Sequence, residues 1–430
     1  MSGTLFGGFI GGIIARIPVG FSLAFASILG LMFFSNVPLN IAPQRISAGM
    51  GSYALLAIPL FVLAGSLMNS GGISRRLLDL AESIVGRVRG GLAQTNILSS
   101  LFFGGLSGSA VADVSSLGRI LIPAMKERNY TAAFSAVVTA ASAIITGVLP
   151  PSISLILYGV VTGTSIGQLF FAGIVPAVLF VIVLMTTVHV TVNKIGLVPE
   201  AMNARPAEKR DVPRFLPSFI RAIPALMLPV LILVGIRGGY FTATEAAAMA
   251  VLYSLVLGII YRELDLRAIV DSLKSTVELV GLIMLVMAAA QLYSWALTSE
   301  RIPQTVADGI LGISTNPVFL LILINVLLLF VGMFIEANAA LIILVPIILP
   351  MAVEIGVDPI HLGVIFVINL GIGLVTPPVG LTLLLTSEIA GIDVLKTLKT
   401  LFPFLVAIIA YLMVVTFVPQ ISLWLPSVLF

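Results

Sequence analysis

The chain contains no cysteine, and only 10% of its 430 residues are charged. The absence of cysteine excludes disulfides, thiolate metal sites and cysteine nucleophiles. The only two histidines, His189 and His361, lie far apart in sequence, which excludes a histidine-rich metal centre. Because soluble domains carry about 25% charged residues, this chain has too few charges to cover a surface in water. With 59% hydrophobic residues, the composition indicates a multi-pass protein of a lipid bilayer.

The positive charges are not arranged as a nucleic-acid-binding surface. Lys and Arg number 22 against 19 Asp and Glu, but the basic residues lie in short loops between apolar segments. That distribution is typical of the cytoplasmic loops of membrane proteins, and we expect no nucleic-acid partner. The longest polar segment, 193–221, is rich in Lys and Arg and is predicted to be cytoplasmic. The first apolar run begins at Leu5 without a preceding basic residue, so it is predicted to be an uncleaved membrane helix.

Two stretches combine apolar residues at helical spacing with charged residues on the opposite side. They cover residues 74–89 and 264–273. Such stretches are typical of helices that lie along a membrane surface. The alternative is a pair of solvated connecting helices.

A long internal repeat appears when the chain is shifted by 227 residues. Four prolines then coincide with prolines, including the pair Pro150-Pro151 with Pro377-Pro378, and Thr131 coincides with Asp358. Thr131 and Asp358 are both favoured at the start of a helix. Chance rarely aligns four prolines, so the sequence predicts two duplicated units.

Each unit places a polar, glycine-containing turn before an apolar helix that is broken at the two prolines. Consecutive prolines remove two backbone donors and interrupt a helix. In a membrane, the freed carbonyl groups must be satisfied by protein, water or an ion. Broken helices at matching positions of two halves indicate a transporter binding site near the membrane midplane.

These breaks offer the chemistry that a small hard cation requires. The carbonyl groups of 147–150 and 373–377 are oxygen ligands, and Ser107, Ser109 and Asp113 add hydroxyls and a carboxylate. The half-helix N-termini favour an anionic substrate. Simpler interpretations remain: the serines can serve close helix packing, and Asp113 can pair with Arg119. For Glu336 and Asn338, structural and functional roles are equally supported.

At these residues the chain resembles the large membrane subunit of TRAP transporters, the tripartite ATP-independent periplasmic systems. The resemblance covers essentially the whole chain, and its most specific motif is Gly-Leu-Ser-Gly-Ser-Ala-Val-Ala-Asp at 105–113. Matching stretches also lie at 58–65, 147–152, 335–340 and 376–378. Related sodium–carboxylate transporters usually carry a Ser-Asn-Thr element at their hairpin tips, which this sequence lacks.

The resemblance implies an all-α polytopic membrane protein with two inverted repeats, re-entrant helical hairpins and broken helices, of the ion-transporter-superfamily elevator type. It implies a sodium symporter for small organic acids in the bacterial inner membrane, coupled to two or more Na⁺ and without an organic cofactor. The expected partners are a periplasmic substrate-binding protein and a small four-helix membrane subunit on a separate chain. The hairpins are expected at about 93–128 and 320–354.

The resemblance also implies the site residues and the division of the chain. Expected sodium ligands are Ser107, Ser109, Asp113, Gly147, Val148, Pro150, Gly332, Glu336, Gly373, Val375 and Thr376. Expected substrate ligands are Ser109, Ser154, Asn338 and Thr382. The expected parts are scaffold helices 1–70, an amphipathic arm 71–92, transport repeat 93–176, scaffold 177–262, a second arm and scaffold helix 263–316, transport repeat 317–403 and a terminal helix 404–430.

Two other functions are compatible with parts of the pattern. One is a stand-alone Na⁺- or H⁺-coupled carboxylate carrier. The other is an intramembrane hydrolase, which would need paired aspartates or a serine with a base, whereas Asp113 is the only aspartate in a core apolar segment. An ATP-driven pump is excluded because the sequence has no phosphate-binding loop. C4-dicarboxylates, sugar acids and sialic acid all fit the predicted site, so the substrate is not specified.

Overall fold

The structure is a computed structural model that describes residues 2–34, 38–197, 212–314 and 316–430. These residues contain an isolated bridge between Tyr130 and Leu197 but no β-strand. Part of the predicted cytoplasmic loop, 198–211, lies outside the described residues. The α-helices are Ser2–Ile14, Val19–Phe34, Ile41–Met50, Ala57–Ser70, Ile73–Val85, Gly91–Ser107, Ala110–Asp113, Arg119–Glu127, Ala132–Val148, Ile153–Thr162, Ile166–Thr191, Phe215–Arg237, Ala243–Ile260, Leu266–Ser299, Ile302–Ile313, Pro317–Gly332, Ala337–Glu354, Pro359–Gly373, Leu381–Ala390, Leu398–Phe417 and Gln420–Leu429.

Many helices are long and apolar enough to cross a bilayer. Within the described ranges, seven helices meet this criterion, and there are eight if a bent pair counts as one span. Large apolar side chains are exposed on the outer helices, for example Ile14 at 76% and Phe402 at 69%. Such surfaces are stable against lipid, not against water. The predicted all-helical, multi-pass membrane fold is confirmed.

The two duplicated units have the same order of elements. Hairpin 1 (Gly91–Ser107 to Arg119–Glu127) is followed by the first broken helix, Ala132–Val148 and Ile153–Thr162. Hairpin 2 (Pro317–Gly332 to Ala337–Glu354) is followed by the second broken helix, Pro359–Gly373 and Leu381–Ala390. The inverted orientation of the two units stays a prediction.

Capping side chains start both broken helices, as the sequence predicts. The hydroxyl of Thr131 accepts a hydrogen bond from the backbone N–H of Phe134 at 3.2 Å. The carboxylate of Asp358 accepts one from Ile360 at 2.7 Å, with Pro359 in the first turn. Each cap satisfies a backbone donor that the helix leaves free at its N-terminus.

Two buried tyrosines connect distant parts of the chain, and Tyr158 connects the two units directly. The hydroxyl of Tyr158 in the first broken helix donates to the carbonyl of Pro359 at 2.7 Å. The hydroxyl of Tyr411 donates to the carbonyl of Pro176 at 2.9 Å. Because each bond joins residues more than 200 positions apart, the two units pack as neighbours in one core.

The first amphipathic stretch forms the helix Ile73–Val85, which we call the arm helix. Its apolar side, including Leu77 and Leu80, is buried. Two exposed ion pairs hold it: Arg76 to Glu263 at 2.7 Å and Arg128 of hairpin 1 to Glu82 at 2.9 Å. The second stretch is not a separate helix, because it forms the first turns of the helix Leu266–Ser299.

The two histidines have different environments. His361 is buried, and its ring nitrogens lie 3.3 Å from the hydroxyl of Ser422 and 3.1 Å from the carbonyl of Thr416. His189 is exposed near the end of the helix Ile166–Thr191.

Candidate functional site

Both predicted helix breaks are present. The first broken helix bends by 41° across residues 149–152. The second is interrupted between Gly373 and Leu381. In both breaks the peptide bond between the paired prolines is cis.

At each break, a hydroxyl from the following half-helix caps one freed carbonyl. Ser152 donates to the carbonyl of Gly147 in the first break. Thr382 is fully buried and donates to the carbonyl of Leu374 at 2.8 Å in the second. Gly147 and Leu374 coincide under the 227-residue shift, so the same backbone position is satisfied in both units. Sequence reasoning missed Ser152 and assigned Thr382 to substrate, an assignment that stays a prediction.

The hairpin tips lie close against the breaks. Gly108 at the tip of hairpin 1 has a φ of +59°, and a Cβ there would lie 2.9 Å from the carbonyl oxygen of Pro151. At the second break, a Cβ on Gly373 would lie 2.4 Å from the carbonyl carbon of Gly332 in hairpin 2. Both contacts are with backbone atoms, which cannot rotate away as a side chain would.

Gly373→Ala is therefore expected to destabilise the protein by about 1–3 kcal/mol or more, because the extra methyl group forces hairpin 2 away from the break. The midpoint of thermal unfolding in detergent would measure this effect. Gly281→Ala is the matched control, since a Cβ at Gly281 meets nothing within 4 Å. Equal unfolding midpoints for the two variants would contradict the close backbone contact.

Both tips and both broken helices meet around one small cavity of about 20 Å³. Its lining includes Ser109, Gly147, Ser154, Glu336 and Asn338, all of which the sequence analysis placed at the site. A cavity of 10–15 Å³ or more has room for about one water-sized particle. The structure thus brings together the tips and breaks that are separated by more than 200 residues in sequence.

Hydrogen bonds connect the two units at this cavity. The hydroxyl of Ser154 donates to Oδ1 of Asn338 at 2.7 Å. The amide of Asn338 donates to Oε1 of Glu336 at 3.0 Å, and Oε2 accepts the backbone N–H of Ala339 at 3.0 Å. Glu336 therefore caps the second arm of hairpin 2 with its own carboxylate. The N-terminus of this half-helix therefore already has a side-chain acceptor for one of its free backbone N–H groups.

Asp113 lies outside the central cavity, in a buried polar network of hairpin 1. The hydroxyl of Ser100 donates to its Oδ2 at 2.9 Å, and the hydroxyls of Ser100 and Ser142 lie 3.1 Å apart. Its Oδ1 is buried and has no hydrogen-bond partner in the described part of the chain. Asp113 does not pair with Arg119, which is exposed. The polar residues 94–96, 99 and 100, unusual in a membrane segment, were a sequence signal for this network.

Among the described side chains, the other predicted ligands do not line the central cavity. Val375 is fully buried, and the hydroxyl of Thr376 donates to the carbonyl of Ile372 at 2.7 Å. The side chain of Ser107 lies outside the described residues. The remaining predicted sodium ligands are Val148, Pro150, Gly332 and Gly373, all of which lie in or beside the breaks. Their roles as ligands stay predictions.

A larger cavity of about 270 Å³ separates hairpin 1 from the helices Ala57–Ser70 and Leu266–Ser299. Ser66 and Thr276 line it from these two helices, and Ser116 lines it from hairpin 1. Ser116 belongs to a π-helical turn, Val114–Gly118. This hydroxyl-rich gap marks a boundary between hairpin 1 and the outer helices.

The family described as "Tripartite ATP-independent periplasmic transporter, DctM component" matches residues 6–421. The chain belongs to the DctM family. It is 41% identical over 428 residues to the sialic acid TRAP transporter large permease protein SiaM of Vibrio cholerae, covering 99% of this chain and 98% of that protein.

Another relative of this DctM-family chain is longer. It is 38% identical to the isethionate TRAP transporter permease protein DctMQ of Oleidesulfovibrio alaskensis, over 98% of this chain and 66% of that protein. Both relatives are named as permeases, in agreement with the prediction of a transport protein and not an enzyme. The resemblance inferred from the sequence motifs is confirmed.

Solved structures support the fold. The YdaH transporter of Alcanivorax borkumensis superimposes with a TM-score of 0.62 at 15% identity, covering 88% of each chain. The MtrF protein of Neisseria gonorrhoeae gives a TM-score of 0.53 at 14% identity. At such identities the likeness concerns the fold alone.

Proposed function

We propose that this chain is the sodium-coupled large permease of an importer for small organic acids that carry a carboxylate. The observation that carries the proposal is the central cavity, where both hairpin tips and both broken helices meet. Broken helices at the interface of two repeats are the usual site of substrate and coupling ions in secondary transporters. Glycine, serine and asparagine at the cavity offer hydrogen bonds to carboxylate and hydroxyl groups of a substrate.

The charges near the site support cation coupling. Neither Asp113 nor Glu336 forms an ion pair with any residue that the structure describes. Two uncompensated carboxylates repel an organic anion, and a charge buried in a membrane requires a counter-charge. Two cations would neutralise Asp113 and Glu336, so the anion is expected to bind strongly only after the cations.

The available ligands suit sodium. Na⁺ prefers hard oxygen ligands, and the environment of Asp113 supplies Ser100 and Ser142. Near Glu336, the cavity supplies Ser109 and Asn338. The Oδ1 atom of Asp113 is buried and has no hydrogen-bond partner among the described residues, so we propose it as a ligand of the cation. The coupling ions, two or more in number, are cargo together with the organic acid.

We propose an elevator movement in which the hairpins and broken helices slide as one body. The hydrogen bonds between Ser154 and Asn338 and between Tyr158 and Pro359 join the two units and support a single body. The helices Ala57–Ser70, Phe215–Arg237 and Leu266–Ser299 would belong to the fixed scaffold. The cavity beside Ser116 provides a polar boundary along which the two parts can separate.

We further propose that the protein lies in a bacterial inner membrane and receives substrate from a periplasmic binding protein. A small membrane subunit on a separate chain would enlarge the scaffold. Membership of the tripartite family supports both partners. Co-purification of this chain with a tagged small subunit would test the proposed association with that subunit.

Uptake into proteoliposomes is expected to require an inward sodium gradient. The protein would be reconstituted with its two partners, and labelled organic acids such as sialic acid, succinate and a sugar acid would be supplied outside. A proton gradient without sodium should give background uptake, because the proposed sites require cations on oxygen ligands. Strong uptake driven by a pH step in sodium-free buffer would overturn the sodium assignment.

The same assay separates the stand-alone carrier from the proposed tripartite importer. Omitting the binding protein is expected to abolish uptake. Equal uptake with and without it would instead support a carrier that takes its substrate directly from solution.

A further inference from the structure

An open cavity of about 470 Å³, which shares no lining residue with the central cavity, lies where the arm helix meets the helix Phe215–Arg237. It is bounded by the arm helix, the first turns of Phe215–Arg237 and the residues that follow Ala243–Ile260. Its ionisable lining residues are Arg75, Arg76, Asp79, Arg221, Tyr261 and Glu263. Three arginines around one cavity are a high local concentration of positive charge for a protein in which only 10% of the residues are charged.

Among the described residues, Arg76 is the cavity arginine that forms an ion pair. Arg76 pairs with Glu263 at 2.7 Å, donates to the carbonyl of Gly72 at 2.8 Å and stacks on the ring of Tyr261 at 3.8 Å. Arg75 and Arg221 have no ion pair within the described ranges. Both are exposed, so they are free to bind an external anion.

The charges of the cavity match a ligand with a single negative charge. Three arginines against Asp79 and Glu263 leave one positive charge in excess. Asp79 lies within electrostatic range of all three arginines, and burial raises the pKa of its carboxyl group. Tyr261 lines the cavity, and its ring lies 3.8 Å from the guanidinium group of Arg76.

The surroundings of the cavity place it at the membrane surface. The arm helix is amphipathic, and Leu216 and Ile220 beside Arg221 are 65% and 57% exposed. Ile220 and Pro224 line the cavity together with the arginines. Apolar residues next to basic ones suit a lipid, because its acyl chains can contact the apolar residues while its phosphate contacts the basic residues.

We propose that this cavity binds the phosphodiester headgroup of an anionic phospholipid and so fastens the arm helix to the scaffold. Arg75 and Arg221 bind the phosphate. The acyl chains lie along the exposed apolar surface at Leu216 and Ile220. The site is independent of the transport chemistry, so it can be tested whether or not sodium drives uptake.

The test is binding of phosphatidylglycerol to the delipidated, full-length protein in detergent, measured by native mass spectrometry. A basic residue near a membrane surface strengthens binding of anionic lipid about fivefold, so Arg75→Gln with Arg221→Gln should weaken it roughly 30-fold. The matched control is Arg87→Gln with Arg89→Gln, which removes two exposed arginines near the same helix but outside the cavity. This control variant should bind phosphatidylglycerol almost as strongly as the unmodified protein does.

Three further measurements make the result decisive. Unfolding midpoints without lipid should be equal for both double variants. Phosphatidylcholine should bind more weakly than phosphatidylglycerol. Equal binding by the two double variants would overturn the proposal. Displacement of phosphatidylglycerol by millimolar inorganic phosphate would also overturn it, by assigning the cavity to free phosphate.

Discussion

Asp113→Asn is expected to raise the sodium concentration for half-maximal uptake roughly 100-fold, with a much smaller effect on substrate recognition. The buried carboxylate has one oxygen bound to Ser100 and the other without a partner. Asparagine keeps the shape and can still accept the hydrogen bond from Ser100, but it removes the charge that would hold a cation. Initial uptake rates at a series of sodium concentrations, with saturating substrate, would measure the shift.

Asp271→Asn is the matched control, because Asp271 is exposed on the helix Leu266–Ser299 and far from both hairpins in sequence. Its sodium dependence should equal that of the unmodified protein. The Asp113→Asn variant must also keep its unfolding midpoint within a few degrees. A folded Asp113→Asn variant with unchanged sodium dependence would show that Asp113 is structural.

Cross-linking hairpin 1 to the outer helices is expected to abolish uptake almost completely. Ser66 and Ser116 face the same cavity from the helix Ala57–Ser70 and from hairpin 1. Because the chain has no native cysteine, cysteines at these two positions can be bridged by a short bifunctional thiol reagent without background. If hairpin 1 slides past the scaffold, the bridge traps one state. Uptake before and after the reagent measures the loss.

The control pair is Ser66→Cys with Ser275→Cys, which line the same cavity from two proposed scaffold helices. A bridge between them should leave at least most of the uptake intact. Reduction of a cleavable reagent should restore uptake in the Ser66/Ser116 pair. Full uptake by the bridged Ser66/Ser116 pair would argue for a gated pore with fixed hairpins.

The helix breaks and the caps of the two units were predictable from local sequence. Two consecutive prolines interrupt a helix whatever surrounds them, and Thr131 and Asp358 act within a few residues of their own positions. The membrane fold followed from composition, because apolar residues far outnumber charged ones. The family resemblance rested on the same local motifs. Its site residues Ser109, Ser154 and Asn338 were therefore named before their contacts were known.

The contacts between distant residues were decided by tertiary structure alone. No local rule joins Ser154 to Asn338 or places Ser100 against Asp113, since these contacts depend on how whole helices pack. Tertiary structure also decided the contact of Thr382, whose hydroxyl donates to a carbonyl group eight residues earlier because the second break folds back on itself. Arg75 and Arg221 are 146 positions apart, and only the packing of the arm helix on the scaffold unites them. Sequence by itself thus determined where the two broken helices begin and break, because these depend on the local backbone. Packing decided which polar groups meet, because burial leaves them only the partners that neighbouring helices provide.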